Sequence, residues 1–369
     1  MIFGADFSTL PEEERCGAVY YEHGHRVDLV ECLARHGITS ARIRLWVDPY
    51  DEKGAPYGGG TSDLPAALAL AKRAKAAGMG IMLDLHYSDF WADPGRQCVP
   101  KQWQGLSVNE LAERVRTYTA ETLETFEKEG LALESVQAGN EITNGMLWPL
   151  GRIERKDTEK EFDRLAQLLN AGLGAIREGS DARSLVHLER SGNRPLWTEW
   201  LDSITARGVV FDELAASYYP YWHGTLEEMA ENLAFCAARY DKDIRIVESS
   251  YAFTGRHYNP AGEGAALVMT DAANCCADGR PMPFPATKEG QAAYTKALIG
   301  TAARIPRLKA LYWWEPGWIP APGAGWATEA SLRYCGEEGK PLGNEWANQC
   351  LFDYAGHALP ALDVFGKDV

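Results

Sequence analysis

Apolar runs of strand length alternate with longer helical patterns along the whole 369-residue chain, and the pair recurs eight times. That alternation predicts an α/β fold with a parallel sheet covered by helices, and eight units predict a closed (β/α)8, or TIM, barrel. Two further observations point the same way. Barrels of this kind run past about 250 residues as one unit, and no composition shift, linker or internal repeat marks a boundary, so residues 1–369 read as a single domain with long loops on one face. The first strand-like run leads into Phe7-Ser8-Thr9-Leu10-Pro11 and not into a glycine-rich phosphate turn, which argues against a doubly wound open sheet.

Taken in order, the strand-like runs are 3–6, 40–46, 80–86, 135–140, 185–188, 214–219, 244–248 and 310–314, each short and rich in Val, Ile, Leu or Ala. Between them, helical spacing is clearest over 64–77, 108–129, 159–178, 225–240 and 287–304. Gly78, Gly130 and Gly179 fall where helix C-caps are expected. The cluster Gly58-Gly59-Gly60 has neither a dinucleotide fingerprint nor a P-loop lysine, so nucleotide binding is not expected. Two long irregular stretches, 256–285 and 319–349, follow the seventh and eighth strands, where loops of that length build functional walls.

A formal charge of -15 argues against a polyanion partner, because phosphate binding is driven by clustered Lys and Arg; neither nucleic acid nor a membrane is expected as a partner. The chain opens Met1-Ile2-Phe3-Gly4-Ala5-Asp6, already strand-like, without a basic leader and apolar core, and no apolar run reaches the roughly 18 residues of a membrane span. Eight scattered cysteines without C-x-x-C spacing form neither a disulfide framework nor a zinc site. A cytoplasmic location is expected on these grounds, with secretion as the alternative if a leader is missing from the sequence as given. No oligomeric state follows from the sequence.

In a barrel, chemistry sits at the C-terminal ends of the strands. Those ends carry Arg42, Arg44 and Trp46; His86, Tyr87, Asp89 and Trp91; Asn140 and Glu141; His187 and Glu189; Tyr218, Tyr219, Tyr221, Trp222 and His223; Glu248; and Trp313, Trp314, Glu315 and Trp318. With 12 Trp and 16 Tyr in the chain, several inside polar loops, the ring offers aromatic faces of the kind on which the C–H face of a sugar stacks. Two glutamates at strand tips, Glu141 and Glu248, supply what glycosidic hydrolysis needs: one protonated carboxyl for the leaving oxygen and one ionised carboxylate. Arg44 is expected to hold Glu248 ionised, with Tyr218 or Tyr219 donating to the same carboxylate, and Asn140 to bond a sugar hydroxyl. Trp91, Trp314 and Trp318 are the expected stacking platforms, with His86, His223 and Asp89 on the substrate side. Glu315 reads as a buried acid paired with a cation, and His187 and Glu189 as structural. No cofactor and no metal is called for.

The motifs RLWVDPY (44–50), LDLHYSDFWADPG (83–95), QAGNE (137–141), SYYPYWHG (217–224) and WEPGW (314–318) resemble those of the endo-β-1,4-galactanases of glycoside hydrolase family 53, and the resemblance runs from Gly4-Ala5-Asp6 to Leu351-Phe352-Asp353-Tyr354. It implies a (β/α)8 barrel that cuts internal β-1,4-galactosidic bonds of pectic galactan with retention, Glu141 as acid/base and Glu248 as nucleophile; because the sequence as given opens without the leader of secreted relatives, imported galacto-oligosaccharides are the alternative expected substrate. Some bacterial relatives bind calcium in an acidic loop after the seventh strand; here that region reads FTGRHYN (253–259), and calcium is not expected. The readings weighed against a galactanase are a barrel glycosidase for another β-linked glycan such as mannan, and a non-catalytic sugar-binding barrel.

Overall fold

The computed structural model describes residues 1–259, 261, 264–270 and 275–366. The end of the expected domain at 367–369, and residues 260, 262, 263 and 271–274 of the 256–285 loop, lie outside that range. Eight parallel strands close into a barrel: β1 (Ile2–Asp6), β2 (Ser40–Leu45), β3 (Gly80–Leu85), β4 (Ser135–Ala138), β5 (Arg183–Leu188), β6 (Glu213–Ser217), β7 (Asp243–Glu248) and β8 (Leu308–Trp314), with β1 paired to both β2 and β8. Nine helices accompany them among the described residues: α1 (Leu10–Arg15), α2 (Leu29–Arg35), α3 (Leu64–Ala76), α4 (Val108–Lys128), α5 (Thr158–Gly179), α6 (Arg194–Thr205), α7 (Leu226–Tyr240), α8 (Lys288–Ala302) and α9 (Glu329–Cys335).

The strand alternation divides the core in two. Outward residues such as Ile43, Leu83, Val136, Val186, Ile246 and Leu311 pack under the helices, while Met82, Leu185, Ala215, Val247, Ala310 and Tyr312 form a second cluster that plugs the barrel. Two residues further along several of these strands, the inward positions become polar or aromatic: Asp84, His187, Ser217 and Trp314. The plug is thus the floor of a polar mouth.

Helix ends follow local chemistry. Ser107–Glu110 and Thr225–Glu228 form reciprocal capping boxes at α4 and α7. Gly78 and Gly130 sit just past α3 and α4 at φ +78° and +67°, the left-handed turn expected of them. Gly179 does not: it is the last residue of α5, and Ser180 leaves in an extended conformation. The sequence reading also passed over α6, whose Arg194-Pro195 start looks like a breaker but places proline in the first turn, where its missing N–H has no cost. All eight cysteines are unpaired. No helix among the described residues is long and apolar enough to cross a membrane.

Candidate active site

Each functional side chain is delivered by the end of a strand. Strand β4 stops at Ala138, and Gly139 (φ +83°) and Glu141 (φ +49°) turn the chain left-handed. For a glutamate that conformation costs roughly 1–2 kcal/mol. It is held by packing, since even a Cβ on Gly139 would stand 2.9 Å from Ile142 Cγ2. On the opposite wall, the register between β6 and β7 slips after Ala216, so that Ser217 faces Glu248 and not Val247. The bulge brings Glu248, Ser217 and Glu141 together: Ser217 Oγ lies 2.6 Å from Glu141 Oε1, and ligand-type oxygens of Glu141 and Glu248 stand within 4.8 Å of each other.

Glu248 is embraced from two sides. Arg42 Nη1 contacts its Oε1 at 2.8 Å, and the Tyr219 hydroxyl donates to Oε2 at 3.0 Å. Burial pushes its pKa up to about 7, with Arg42 and Tyr219 pulling it back and the charges of Asp84 and Asp6 adding to the rise. Among the described residues no cation pairs with Glu141. Burial first, then the charges of Glu248 and Glu189, push its carboxyl well above the ordinary range, opposed by the contact with Ser217. Two carboxyls in one site are therefore driven apart in function, Glu141 protonated and Glu248 the easier to ionise.

The expected partner of Glu248 was Arg44, and the structure corrects this. Arg42 and Arg44 lie two apart on β2 and share its inner face, but Arg42, 1% exposed, sits one layer deeper and gathers Asp6 (2.9 Å), Asp84 (2.8 Å) and Glu248. Arg44, equally buried but nearer the strand end, pairs with Glu315 at 3.2 Å, donates to the Gly59 carbonyl at 2.9 Å and stacks 4.1 Å over the Trp91 ring. Glu315 is thereby the buried, cation-paired acid expected of it, its pKa raised to about 8 by burial against the pull of Arg44.

A cleft of about 740 Å³ opens above the two glutamates. Of the expected substrate-side residues, Arg44, His86, Trp91, Asn140, Tyr219, His223, Trp314 and Trp318 line it. Trp91 and Trp318 stack with ring centres 5.9 Å apart, and Trp314 meets both at an angle. His223 has Nδ1 3.0 Å from the Ser217 carbonyl and 3.2 Å from the Tyr219 amide; burial lowers its pKa to about 3, so the ring that lines the cleft is neutral. Asn140 is largely committed, its Oδ1 to Arg42 and Gln137 and its Nδ2 to the Ala92 carbonyl at 2.8 Å.

Two of the expected substrate-side residues lie outside the cleft, and a third lines it with its polar atoms already spent. Tyr218 points away from the cleft and bonds the Gly224 carbonyl at 3.2 Å, because it alternates with inward-facing Tyr219. Asp89 is buried away from the sugar path and fastens two loops by accepting from the Asp48 amide (3.0 Å) and from the Lys101 amide and ammonium (2.7 and 3.0 Å). His86 lines the cleft without a free nitrogen: Nδ1 accepts from Trp46 Nε1 and the Ala92 amide, and Nε2 donates to Asp84 at 3.0 Å. Arg42 and Glu189 stand at the strand ends where the sequence puts them but carry no expected site role, and Arg190, Trp326 and Trp346 are not signalled as site residues at all. The last two belong to the long stretch after β8, where an aromatic in an irregular segment was the available signal.

Two groups of metal-ligand type occur among the described residues, Glu141–His187–Glu248 and Glu22–Cys32–His36. In the first, His187 spends Nδ1 on Asn140 and Nε2 on Ser217, both at 2.8 Å. In the second, Glu22 is closed by Arg35 at 2.7 Å and His36 at 2.5 Å. In the loop after β7, His257 sets Nδ1 and Nε2 against the carbonyls of Asn259 and Ala265.

The family model for Glycosyl hydrolase family 53 matches residues 2–365. An endo-beta-1,4-galactanase of Bacillus subtilis (strain 168) is 33% identical over 384 residues, covering 99% of this chain and 85% of that protein. Among solved structures, the Ignisphaera aggregans GH53 catalytic domain superposes with a TM-score of 0.87 at 35% identity, covering 99% of this chain and 95% of that one. A fungal beta-1,4-galactanase superposes with a TM-score of 0.78 at 27% identity, with 99% of each chain covered.

Proposed function

The chain belongs to glycosyl hydrolase family 53, and from that premise we propose how its cleft hydrolyses β-1,4-galactan. It is a glycoside hydrolase of the endo-β-1,4-galactanase kind, and its substrate is a galactan. The proposal concerns the residues and the stereochemistry. One observation carries it: carboxyl oxygens of Glu141 and Glu248 within 4.8 Å of each other at the base of an aromatic cleft. Retaining glycosidases place the two groups about 5–5.5 Å apart, whereas inverting ones leave about 6.5–9.5 Å for a water.

In the first half-reaction, Glu141 gives its proton to the glycosidic oxygen while Glu248 attacks the anomeric carbon. The C–O bond to the leaving sugar breaks and a galactosyl ester forms on Glu248. Arg42 and Tyr219, at 2.8 and 3.0 Å, keep the attacking carboxylate charged before the step and steady it again as a leaving group after it. In the second half, ionised Glu141 takes a proton from a water that attacks the same carbon, and the sugar leaves with its configuration retained. The Trp91–Trp318 stack, Trp314 and half-exposed Trp222 hold the sugars on either side of the break. We place the enzyme in the cytoplasm acting on imported galacto-oligosaccharides, which fractionation of the producing cells tests.

The experiment compares hydrolysis of potato or lupin galactan with mannan and cellulose derivatives, together with Glu248→Ala supplied with azide and an activated galactoside. Galacto-oligosaccharide release by the wild type and an inverted glycosyl azide from the dead variant are the expected results. Turnover of mannan without galactan would overturn the substrate, and an azide product of unchanged configuration would overturn the nucleophile.

A further inference from the structure

A hydrogen-bond chain below Glu141 plays no part in the steps above, and its polarity can be worked out atom by atom. The Asn140 amide has one possible orientation, because its Oδ1 faces Arg42 Nη2 at 2.8 Å and Gln137 Nε2 at 3.1 Å while its Nδ2 faces the Ala92 carbonyl at 2.8 Å. The same Oδ1 stands 2.8 Å from His187 Nδ1, so that nitrogen carries its hydrogen. The Glu141 amide also points at Nδ1, but from 3.4 Å, and the shorter contact decides. His187 is neutral, since full burial and the neighbouring charge of Arg42 hold its pKa well below the usual value. Its Nε2 is therefore a bare acceptor, and the Ser217 hydroxyl, 2.8 Å away, donates to it. A hydroxyl has one hydrogen. The 2.6 Å contact between Ser217 Oγ and Glu141 Oε1 is then a hydrogen bond only when the carboxyl supplies the proton.

We propose that Ser217 and His187 are positioning residues for Glu141: the Ser217 hydroxyl is a toggle between the two, and His187, by competing for its hydrogen, holds Glu141 in its acid form. The inference rests on the reading of Glu141 as the acid/base. While Glu141 is protonated, its O–H donates to Ser217 Oγ and the serine hydrogen donates to His187 Nε2. When the carboxyl proton passes to the glycosidic oxygen, the serine hydroxyl rotates toward the new carboxylate. No proton leaves serine or histidine; Nε2 loses a hydrogen bond only. When the attacking water returns a proton to Glu141, the hydroxyl turns back. Ionised Glu141 thus has to take its stabilising hydrogen from a buried imidazole that needs it, and this competition favours the protonated form.

The other groups around the pair are fixed by the fold. Glu141 meets the fields of Glu248 from β7, Glu189 after β5 and Asp93 after β3, and Tyr219 after β6 stands beside it. His187 meets Arg42, His86 and His223. Among the described residues, Ser217 is the side chain within hydrogen-bond distance of the Glu141 carboxyl.

The test is the alkaline limb of kcat/KM against pH on galactan, which reports the acid of the free enzyme. Ser217→Ala removes the donor to the carboxylate, so the limb moves up by about one pH unit. His187→Phe removes the competitor and leaves the serine to Glu141, so the limb moves down by about one unit. Ser217→Thr, which keeps the hydroxyl, returns it to the wild-type position. A merely structural role would lower the rate without moving the limbs in opposite directions; limbs that stay put, or move together, overturn the toggle. Should a variant fail to fold, infrared difference spectra of wild type against Glu141→Gln at neutral pH decide: a protonated-carboxyl band is expected, and its absence overturns the assignment. Glu141→Ala separates the two levels. If it degrades galactan at the wild-type rate, the acid/base reading itself falls; if it is inactive while the limbs do not move, the toggle alone falls.

Discussion

Replacing Arg42 by lysine tests how the nucleophile is kept charged. In the native site the guanidinium makes contacts at 2.8 Å to Glu248, 2.8 Å to Asp84, 2.9 Å to Asp6 and 2.8 Å to Asn140. An ammonium retains the charge but has neither the reach nor the fork to serve all four. It stays with the deeper aspartates, and Glu248 loses a charge-assisted bond of about 1.5–3 kcal/mol. That is a rise of roughly one to two pKa units, added to a carboxyl that burial has already brought to about 7. Below that value the rate follows the ionised fraction, so kcat/KM near pH 6 falls by about 10- to 100-fold, and the loss shrinks as the pH is raised. The assay is kcat/KM on a chromogenic galactobioside from about pH 5 to 9, with Arg44→Lys measured beside it. Arg44 faces Glu315 and Trp91, so its variant shows a higher KM and an unmoved acid limb. If Arg44→Lys shifts the acid limb and Arg42→Lys does not, the assignment of the two arginines is wrong.

Tyr219→Phe removes the other donor to Glu248, 3.0 Å from Oε2, and is expected to cut kcat/KM about 10-fold or more at pH 6 with the same upward shift of the acid limb. Trp222, 48% exposed at the rim, contributes a sugar platform without supporting the core; Trp222→Ala raises KM on polymer about five-fold, leaves kcat within about two-fold, and does not alter the melting temperature. Glu13 on α1 is fully buried, neither carboxyl oxygen has a hydrogen-bond partner among the described residues, and burial, then Glu12 and Glu315, push its pKa well up. A raised folded pKa means that the protonated form suits the fold, and stability is lost as pH rises through that value. Glu13→Met is therefore more stable than wild type by about 1–3 kcal/mol, and the difference seen in thermal melts grows from acid to alkaline pH; a variant that melts lower at every pH would refute this.

Much of the architecture could be read from the chain because a parallel barrel strand is buried on both faces and announces itself as a short apolar run. All eight strands appear within a few residues of their expected positions, and the two glutamates stand where strand ends put them. What could not be read was depth and committed hydrogen bonds. Arg42 and Arg44 share a face, and nothing local tells which reaches Glu248. Tyr218 and Tyr219 differ in which way the strand alternation sends them, and the bulge after Ala216 makes that phase a matter of tertiary pairing. His86 carries polar atoms toward the cleft yet has both nitrogens taken by Trp46, Ala92 and Asp84, partners that sequence does not reveal. Trp326 and Trp346 arrive from a segment with no periodicity, so their meeting with Trp91 and Trp314 is legible only in the fold.

The central claim is a double displacement run by Glu141 and Glu248. The anomeric form of the first product, followed by proton NMR immediately after enzyme is added to galactan, tests it most directly. The β-anomer appears first and then mutarotates if Glu248 forms the galactosyl ester. An α-anomer appearing first would mean that water attacks directly, and the double-displacement mechanism would have to be abandoned.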